Sequence, residues 1–271
     1  EVVNLMGLCA SDAGDQVHQK EWVRICFDLL DLLRAPKKAV RRSSTATLGA
    51  IARAIGPQEI LGPLLQNLRV LDRTNRVCTA VALAIVADIC QPFTVLPALM
   101  NEYRSPDASV QQGVLKAFVF VTQYVGALNK DYVYALAPML QDALIDRDIV
   151  RRQTACAVTA HVLLGVAGLG REDVALHLLN LVWPNIFETS PHVAAAVRDA
   201  VEAARVALGP SKLLQYLLQG LFHPARRVRS VYWKHYNAMY VAAQDALVAA
   251  FPVVEDDEDN TWRRWELEVI L

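Results

Sequence analysis

The sequence predicts an all-α fold: an α-α superhelix with right-handed stacking of antiparallel helix pairs. Two observations predict it. Apolar residues recur at three- and four-residue steps through most of the chain, and one short pattern recurs six times. The pattern is the end of a helix, a polar turn, and a valine (once an alanine) early in the next helix. Its anchors are Val40, Val77, Val110, Val150, Ala195 and Val228.

The spacing of these anchors favours a repeat array over an ordinary globular domain. Successive anchors are 37, 33, 40, 45 and 33 residues apart. A period in this range, with two helical patterns in each unit, is typical of an α-solenoid. Neither helix of such a pair buries its apolar stripe alone, so the units stack and present an extended surface. The period therefore indicates a binding protein and does not identify its ligand.

The first complete unit contains both helices of the pattern. Apolar residues at helical spacing predict its first helix over about 18–34. Pro36 predicts the start of the second helix, because the missing N–H of proline costs nothing at a first helical position. Gly56 and Pro57 predict the end of that helix, since glycine is common just past a helix and proline cannot continue one.

The later units repeat these signals. Turns are predicted around 104–107, 146–148, 189–192 and 222–224 in the third to sixth units. The second helices of the later units end at Pro92, Gly126, about 168, Gly209 and near Ala242. A short last helix is predicted over about 245–250. We therefore divide the chain into helical repeats over 1–251, with about six full units and a partial unit before the first complete pair, and a tail over 252–271.

The tail differs in composition from the repeats. Residues 255–259 are all acidic, and residues 261–271 return to aromatic and apolar side chains that include Trp262 and Trp265. Two tryptophans are unusual in a purely disordered end. We expect this acidic linker and apolar C-terminal segment to fold back as a cap on the last repeats, or else to dock on a partner.

Bulk composition narrows the class of protein. The formal net charge is −1, and 54% of the 271 residues are hydrophobic. Apolar runs are broken before they reach the length needed to cross a bilayer. Five cysteines, odd in number and widely spaced, argue against a disulfide framework and for a reducing compartment. Because the chain opens at Glu1 inside a helical pattern, we expect it to be a piece of a longer protein.

Catalytic signals are poor. The sequence contains no glycine-rich phosphate loop, no G-x-S-x-G and no H-E-x-x-H. Its six histidines have no partners at metal-ligand spacing. We therefore expect a protein that is not an enzyme and has no cofactor and no metal site.

Basic residues gather at the starts of the second helices. They are Lys37, Lys38, Arg41, Arg42, Arg73, Arg76, Arg147, Arg151, Arg152, Arg226, Arg227 and Arg229. In a solenoid these helix starts lie along one ridge, and a stripe of cations there suits phosphate backbones or acidic peptides. The alternative is a structural ladder in which the arginines pair with nearby carboxylates, for which Asp72, Asp107, Asp146 and Asp148 are candidates. We favour the ladder in the fourth and sixth units. The local turn of Lys37, Lys38, Arg41 and Arg42 contains no acid, which favours the stripe in the first unit.

The type of repeat follows from short pairs of residues. Val40-Arg41, Val150-Arg151 and Val228-Arg229 match the Val-Arg pair of HEAT repeats. Longer stretches at 76–104, 188–193, 219–237, 244–247 and 263–271 closely resemble the C-terminal HEAT repeats of the largest subunit of splicing factor 3b, a part of the U2 snRNP. The resemblance covers about 18–271.

This resemblance implies a function. The family subunit is a nuclear, non-enzymatic scaffold that clamps the duplex between U2 RNA and the intron branch site. It also holds a small zinc-binding subunit, a very small helical subunit and a large β-propeller subunit. No membrane is involved.

The resemblance also implies a pocket, in which the bulged branch adenosine sits at a hinge of the superhelix and which splicing modulators occupy. The matching residues are Leu33, Lys38, Arg41, Arg42 and Thr45 on one side, and Val77 and Val81 on the other. Lys37, Arg73 and Arg76 are further expected contacts to the RNA backbone. Thr45 stands where the family usually has a bulkier apolar residue, so we expect this wall to be more polar.

A rival hypothesis is a protein-only HEAT scaffold, of the kind found in transport receptors or phosphatase scaffolds. It predicts that the purified complex contains no nucleic acid.

Overall fold

A computed structural model describes residues 1–70 and 72–251, and the predicted roles of the tail lie outside these residues. Thirteen α-helices, without a strand, make up this part of the chain. They are α1 Val2–Ala13, α2 Gln19–Leu32, α3 Lys38–Ile55, α4 Pro57–Asn67, α5 Arg73–Cys90, α6 Pro92–Tyr103, α7 Ala108–Val125, α8 Val133–Leu144, α9 Ile149–Val166, α10 Glu172–Val182, α11 Pro191–Leu208, α12 Pro210–Leu221 and α13 Arg226–Leu247. Short 3₁₀ helices cover Gly14–Gln16, Gly126–Asp131, Trp183–Phe187 and Val248–Ala250. The prediction of an all-α solenoid is confirmed.

The helices alternate between two layers. The odd-numbered helices from α1 to α13 form one layer, in which each packs against the next odd-numbered helix. The even-numbered helices form the other layer, and each packs against the second helix of its own unit. Side chains also bond across units, since Thr47 Oγ1 of α3 donates to the Val3 carbonyl of α1 (2.7 Å). The apolar core therefore runs continuously between the layers.

Aspartates begin three of the second helices. The Asp72, Asp107 and Asp148 side chains each accept a hydrogen bond from a backbone N–H two residues later. Such capping satisfies N–H groups that have no partner within the helix. The expectation that Pro36 begins α3 is wrong, because Lys37 is extended and the helix starts at Lys38. In that unit an arginine bonds the carbonyl groups of the turn, as described below.

Three second helices end at a shared backbone conformation. Gly56 and Gly209 have φ of 84° and 86°, each followed by the proline that opens the next helix. Gln91 occupies the same place between α5 and Pro92, with φ of 76° and ψ of 143°. Glycine tolerates this region at no steric cost, whereas glutamine does not.

The N-cap of each second helix gives the clearest register for the repeats. These residues are Lys37, Asp72, Asp107, Asp148, Ser190 and Ala225. The six sequence anchors all lie within the first five residues after an N-cap. We call the fourth residue after an N-cap position +4, and the third residue before it position −3.

The last helix departs from the others. α13 continues to Leu247 with a kink at Ala243, where φ is −153°. This non-helical residue separates the main helix from a short final helical segment that ends in a 3₁₀ turn over Val248–Ala250, in line with the predicted helix end near Ala242 and the short last helix predicted over about 245–250.

Candidate nucleic-acid interface

A cavity of about 510 Å³ opens between the first two complete units. Its walls come from the end of α2, the first turns of α3 and α5, and the last turn of α7. The lining residues are Leu33, Arg34, Arg41, Thr45, Arg73, Thr74, Val77, Cys78, Val81 and Tyr124. Volumes of this size are typical of small-molecule and cofactor sites.

Five of the seven predicted pocket residues line this cavity. They are Leu33, Arg41, Thr45, Val77 and Val81. Arg41 and Thr45 are four residues apart on α3, and Val77 and Val81 are four apart on α5, so each pair shares a helix face. Lys38 and Arg42 are exposed and lie outside the lining.

Hydrogen bonds limit what two of these residues offer to a ligand. Arg41 Nη1 donates to the carbonyl oxygens of Ala35 (2.7 Å) and Pro36 (2.9 Å). Thr45 Oγ1 donates to the Arg41 carbonyl (2.9 Å). The Thr45 hydroxyl proton is thus used within α3, which reduces the extra polarity that the sequence suggests for this wall.

The sequence did not single out Arg34, Thr74, Cys78 or Tyr124 as lining residues. Tyr124 is 38% exposed near the end of α7, and lies four residues after Phe120 and eight after Lys116. This helical spacing is the one signal in the sequence that could have identified Tyr124 as a neighbour of Phe120 and Lys116. Burial raises the pKa of the Cys78 thiol, and the nearby Arg34 opposes the shift.

A second cavity, of about 490 Å³, adjoins the first and shares Arg73 and Val77 with it. The lining residues are Arg73, Arg76, Val77, Gln112, Gly113, Lys116, Phe120, Val150, Gln153 and Thr154. Two of the three predicted backbone contacts, Arg73 and Arg76, therefore face one concavity. The third, Lys37, is the exposed N-cap of α3 and lines neither cavity.

Lys116 is the most perturbed cation of this region. Its Nζ lies 5.3 Å from the centre of the Phe120 ring. Burial lowers the pKa of Lys116, and the positive charge of Arg73 lowers it further. No carboxylate lines either cavity within the described residues, although five cations do. The two cavities together suit a ligand with an apolar planar group and adjacent negative charge.

The alternative of an arginine ladder is correct for the fourth unit. Arg152 pairs with Glu188 of the next unit, and Arg151 Nη1 lies 3.1 Å from Asp146. In the sixth unit Arg229 instead donates to the carbonyl oxygens of its own turn. Lys37, Lys38 and Arg42 make no ion pair with any residue that the structure describes, so the ladder does not account for them.

Across 1–70 and 72–251, no group of three or more His, Cys, Asp or Glu is arranged to hold a metal ion. None of the helices in this part of the chain has the length and apolarity to cross a membrane.

The fold and the cavities define a helical-repeat binding protein. Residues 53–129 match the PPP2R1A-like HEAT repeat family. The chain is 51% identical over 269 residues to U2 snRNP component prp10 of Schizosaccharomyces pombe, covering 99% of this chain and 22% of that protein. It is 49% identical over 269 residues to U2 snRNP component HSH155 of Saccharomyces cerevisiae, covering 99% of this chain and 28% of that protein.

The chain thus spans less than a third of the length of these curated relatives. Over that span it is a HEAT-repeat segment homologous to these U2 snRNP components, and the resemblance identified from the sequence is confirmed. Among solved structures, a designed armadillo repeat protein in complex with the peptide (KR)4 aligns with a TM-score of 0.45 and 16% identity, covering 78% of this chain and 98% of that one.

Proposed function

We propose that this chain is part of a non-enzymatic splicing scaffold in the nucleus, which clamps the duplex between the branch site and U2 RNA. The cavity between the first two units would receive the bulged branch adenosine. The observation that carries this proposal is the convergence of five residues, expected from the family resemblance alone, on one cavity without an acid in its wall. About 50% identity to two U2 snRNP components supports the assignment to splicing.

The chemistry of the first cavity suits an unstacked base. Leu33, Val77 and Val81 provide an apolar surface for the faces of a purine, and Tyr124 provides an aromatic ring. Proteins that read single-stranded or bulged RNA generally splay a base out and hold it by such contacts. Arg73 belongs to both cavities and would bind the phosphate next to the base.

The second cavity would continue the path of the RNA backbone. Arg73, Arg76 and Lys116 converge on it. A phosphate would relieve the repulsion between Arg73 and Lys116 that lowers the pKa of the lysine. Its binding is therefore expected to raise the pKa of Lys116. Lys38 and Arg42 would hold further phosphates outside the cavities.

Protein partners form part of the same proposal. The partners in this proposal are the small zinc-binding subunit, the very small helical subunit and the β-propeller subunit. The family resemblance supports these three partners. Purification of the full-length protein from nuclei, followed by mass spectrometry and RNA sequencing, tests the set. A complex without RNA would favour the protein-only scaffold instead.

The RNA assignment is tested with the full-length protein assembled with its partner subunits. The probes are an RNA duplex with one bulged adenosine and the same duplex fully paired. We expect tighter binding of the bulged duplex. In a plot of log affinity against log salt concentration, Lys38→Ala with Arg42→Ala should reduce the slope by about 1.5, at roughly 0.7–0.9 per phosphate contact.

Matched cations on α2 provide the control. Lys20 and Arg24 are exposed and lie away from both cavities, so Lys20→Ala with Arg24→Ala should leave the slope unchanged. Equal slopes for the two double variants, or equal affinity for bulged and paired RNA, would contradict the proposal.

A further inference from the structure

Position −3 of the repeats divides the molecule into two halves. In the first three units it holds arginine: Arg34, Arg69 and Arg104. In the last three units it holds large apolar residues: Ile145, Phe187 and Phe222. These are 64%, 45% and 46% exposed, and none of them lines either cavity. We call Ile145, Phe187 and Phe222 the apolar row.

Contacts between units link the segments that carry the apolar row. Glu188, next to Phe187, pairs with Arg152 of the unit that contains Ile145. The Phe187 ring lies 6.0 Å from the ring of Tyr232 in the unit that contains Phe222. Packed helices are about 8–10 Å apart, so the row has a step of about 10 Å. Single exposed apolar residues are ordinary on protein surfaces. Three of them at the same position of successive repeats instead form a regularly spaced apolar surface.

Uncommitted cations lie close to the row in sequence, and the two aspartates that follow Ile145 are engaged. Asp146 pairs with Arg151, and the Asp148 side chain caps α9. Arg147, Arg226 and Arg227 are exposed and form no ion pair among the residues that the structure describes. A ligand for this edge therefore needs apolar side chains together with negative charge.

We propose that the apolar row binds an extended acidic peptide segment of a partner protein, with an apolar side chain at every third residue. An extended chain in the polyproline II conformation has three residues per turn and advances about 3.1 Å per residue, so every third side chain lies on one face and recurs about every 9 Å, close to the step between units. The intervening acidic side chains would meet Arg147, Arg226 and Arg227. This surface is separate from the proposed RNA cavities and goes beyond the clamp function. A peptide suits this surface better than RNA, because Ile145, Phe187 and Phe222 match apolar side chains, which the RNA backbone lacks.

The test uses the 271-residue chain and a synthetic probe. The probe is a fluorescein-labelled peptide of roughly nine residues, with leucine at every third position and aspartate or glutamate elsewhere. Binding is followed by fluorescence anisotropy. We expect Ile145→Ser with Phe222→Ser to weaken binding at least about tenfold, since two apolar contacts are lost. Arg147→Ala with Arg227→Ala should weaken binding and reduce its salt dependence.

Control variants and control peptides distinguish binding at this surface from nonspecific binding. Phe93 is 64% exposed at the other edge, at the start of α6, so Phe93→Ser should bind the probe like the unmodified chain. Circular dichroism should show the same fold for every variant. A peptide of equal composition with adjacent leucines, and one with lysine in place of the acids, should each bind at least about tenfold more weakly.

Several results would overturn the proposal. They are no binding of the spaced acidic peptide, equal binding by the double serine variant, and equal binding of the peptide with adjacent leucines. Sedimentation that shows a dimer, lost in Ile145→Ser with Phe222→Ser, would assign the row to a second copy of the chain. Displacement of the probe by an RNA oligonucleotide from the row would assign it to nucleic acid.

Discussion

Arg229 Nη1 donates a hydrogen bond to the carbonyl oxygen of His223, six residues earlier, at 2.8 Å. The same nitrogen bonds the Pro224 carbonyl at 2.9 Å. Other residues at position +4 do likewise: Arg41 bonds Ala35 and Pro36, Arg152 bonds Asp146 and Arg147, and the Gln111 amide bonds Ser105. Position +4 therefore holds the turn between the two helices of four units in place.

Removal of one such bond pair should destabilise the fold slightly. We expect Arg229→Ala to lower the free energy of unfolding by about 1 kcal/mol, because the Arg229 hydrogen bonds are partly exposed and their net value is modest. For a chain of this size that corresponds to a fall of about 2–4 °C in the melting temperature. A thermal melt followed by circular dichroism measures it.

Arg227 provides the comparison. It lies two residues away and is exposed, and its side chain makes no hydrogen bond or ion pair within the described residues. Arg227→Ala should melt within about 1 °C of the unmodified chain. Equal losses in the two variants would show that position +4 does not hold the turn.

The role of position +4 shows where sequence reasoning stops. The Val-Arg pairs were visible and correctly indicated the repeat type. From the sequence alone, however, the charge of these arginines predicts an interaction with a ligand or with a carboxylate. Whether a guanidinium reaches the carbonyl oxygens five and six residues earlier depends on the conformation of the turn, which residue spacing does not specify. The start of α3 was wrongly predicted at Pro36 for the same reason, because it also depends on the conformation of the turn.

The Tyr124 ring should contribute to the recognition of a bulged base. We expect Tyr124→Ala to reduce the preference for bulged over paired RNA, because base–aromatic contacts are worth about 1–3 kcal/mol each. That range corresponds to a loss of roughly fivefold to a hundredfold in relative affinity. Competition binding with the assembled complex measures this ratio.

Tyr240 is a suitable control, since it is 42% exposed on α13 and distant in sequence from the cavities. Tyr240→Ala should leave the preference unchanged. Tyr124 could not be assigned from sequence because it lies 43 residues after Val81. Local pattern predicted the helices and most of the wall residues, but the approach of a third unit depends on the curvature of the stack.

The positive φ of Gln91 should strain the backbone, and a change to glycine should relieve that strain. We expect Gln91→Gly to raise the free energy of unfolding by about 1 kcal/mol. A non-glycine residue in this region costs about 1–3 kcal/mol, and the added freedom of glycine in the unfolded chain offsets about 0.4–1 kcal/mol of the gain. Urea unfolding measures the difference. Gln58, in the first turn of α4, is the matched site at which a change to glycine should destabilise. A loss of stability in Gln91→Gly would contradict the strain.

Two partly buried histidines should make the fold sensitive to mild acid. Burial lowers the pKa of His235, and the positive charges of Arg198 and Lys234 lower it further. Burial also lowers the pKa of His161, against the opposing charge of Asp199. The folded pKa of each lies below the unfolded value of about 6.5. As pH falls below that value, the unfolded state takes up protons first, so the free energy of unfolding decreases until the folded pKa is reached.

His235→Gln should therefore lose less stability than the unmodified chain between about pH 7.5 and about pH 5.5. Carboxylates titrate in both the variant and the unmodified chain. The difference between the stability that the two proteins lose over this pH range therefore reports on the histidine alone. Urea unfolding at each pH gives the four free energies that this comparison needs. His192 is exposed at the start of α11, and His192→Gln should keep the full pH effect. Acid could instead lower the free energy of unfolding equally in His235→Gln and His192→Gln. That result would show that the burial of His235 beside Arg198 and Lys234 does not cause the acid sensitivity of the fold.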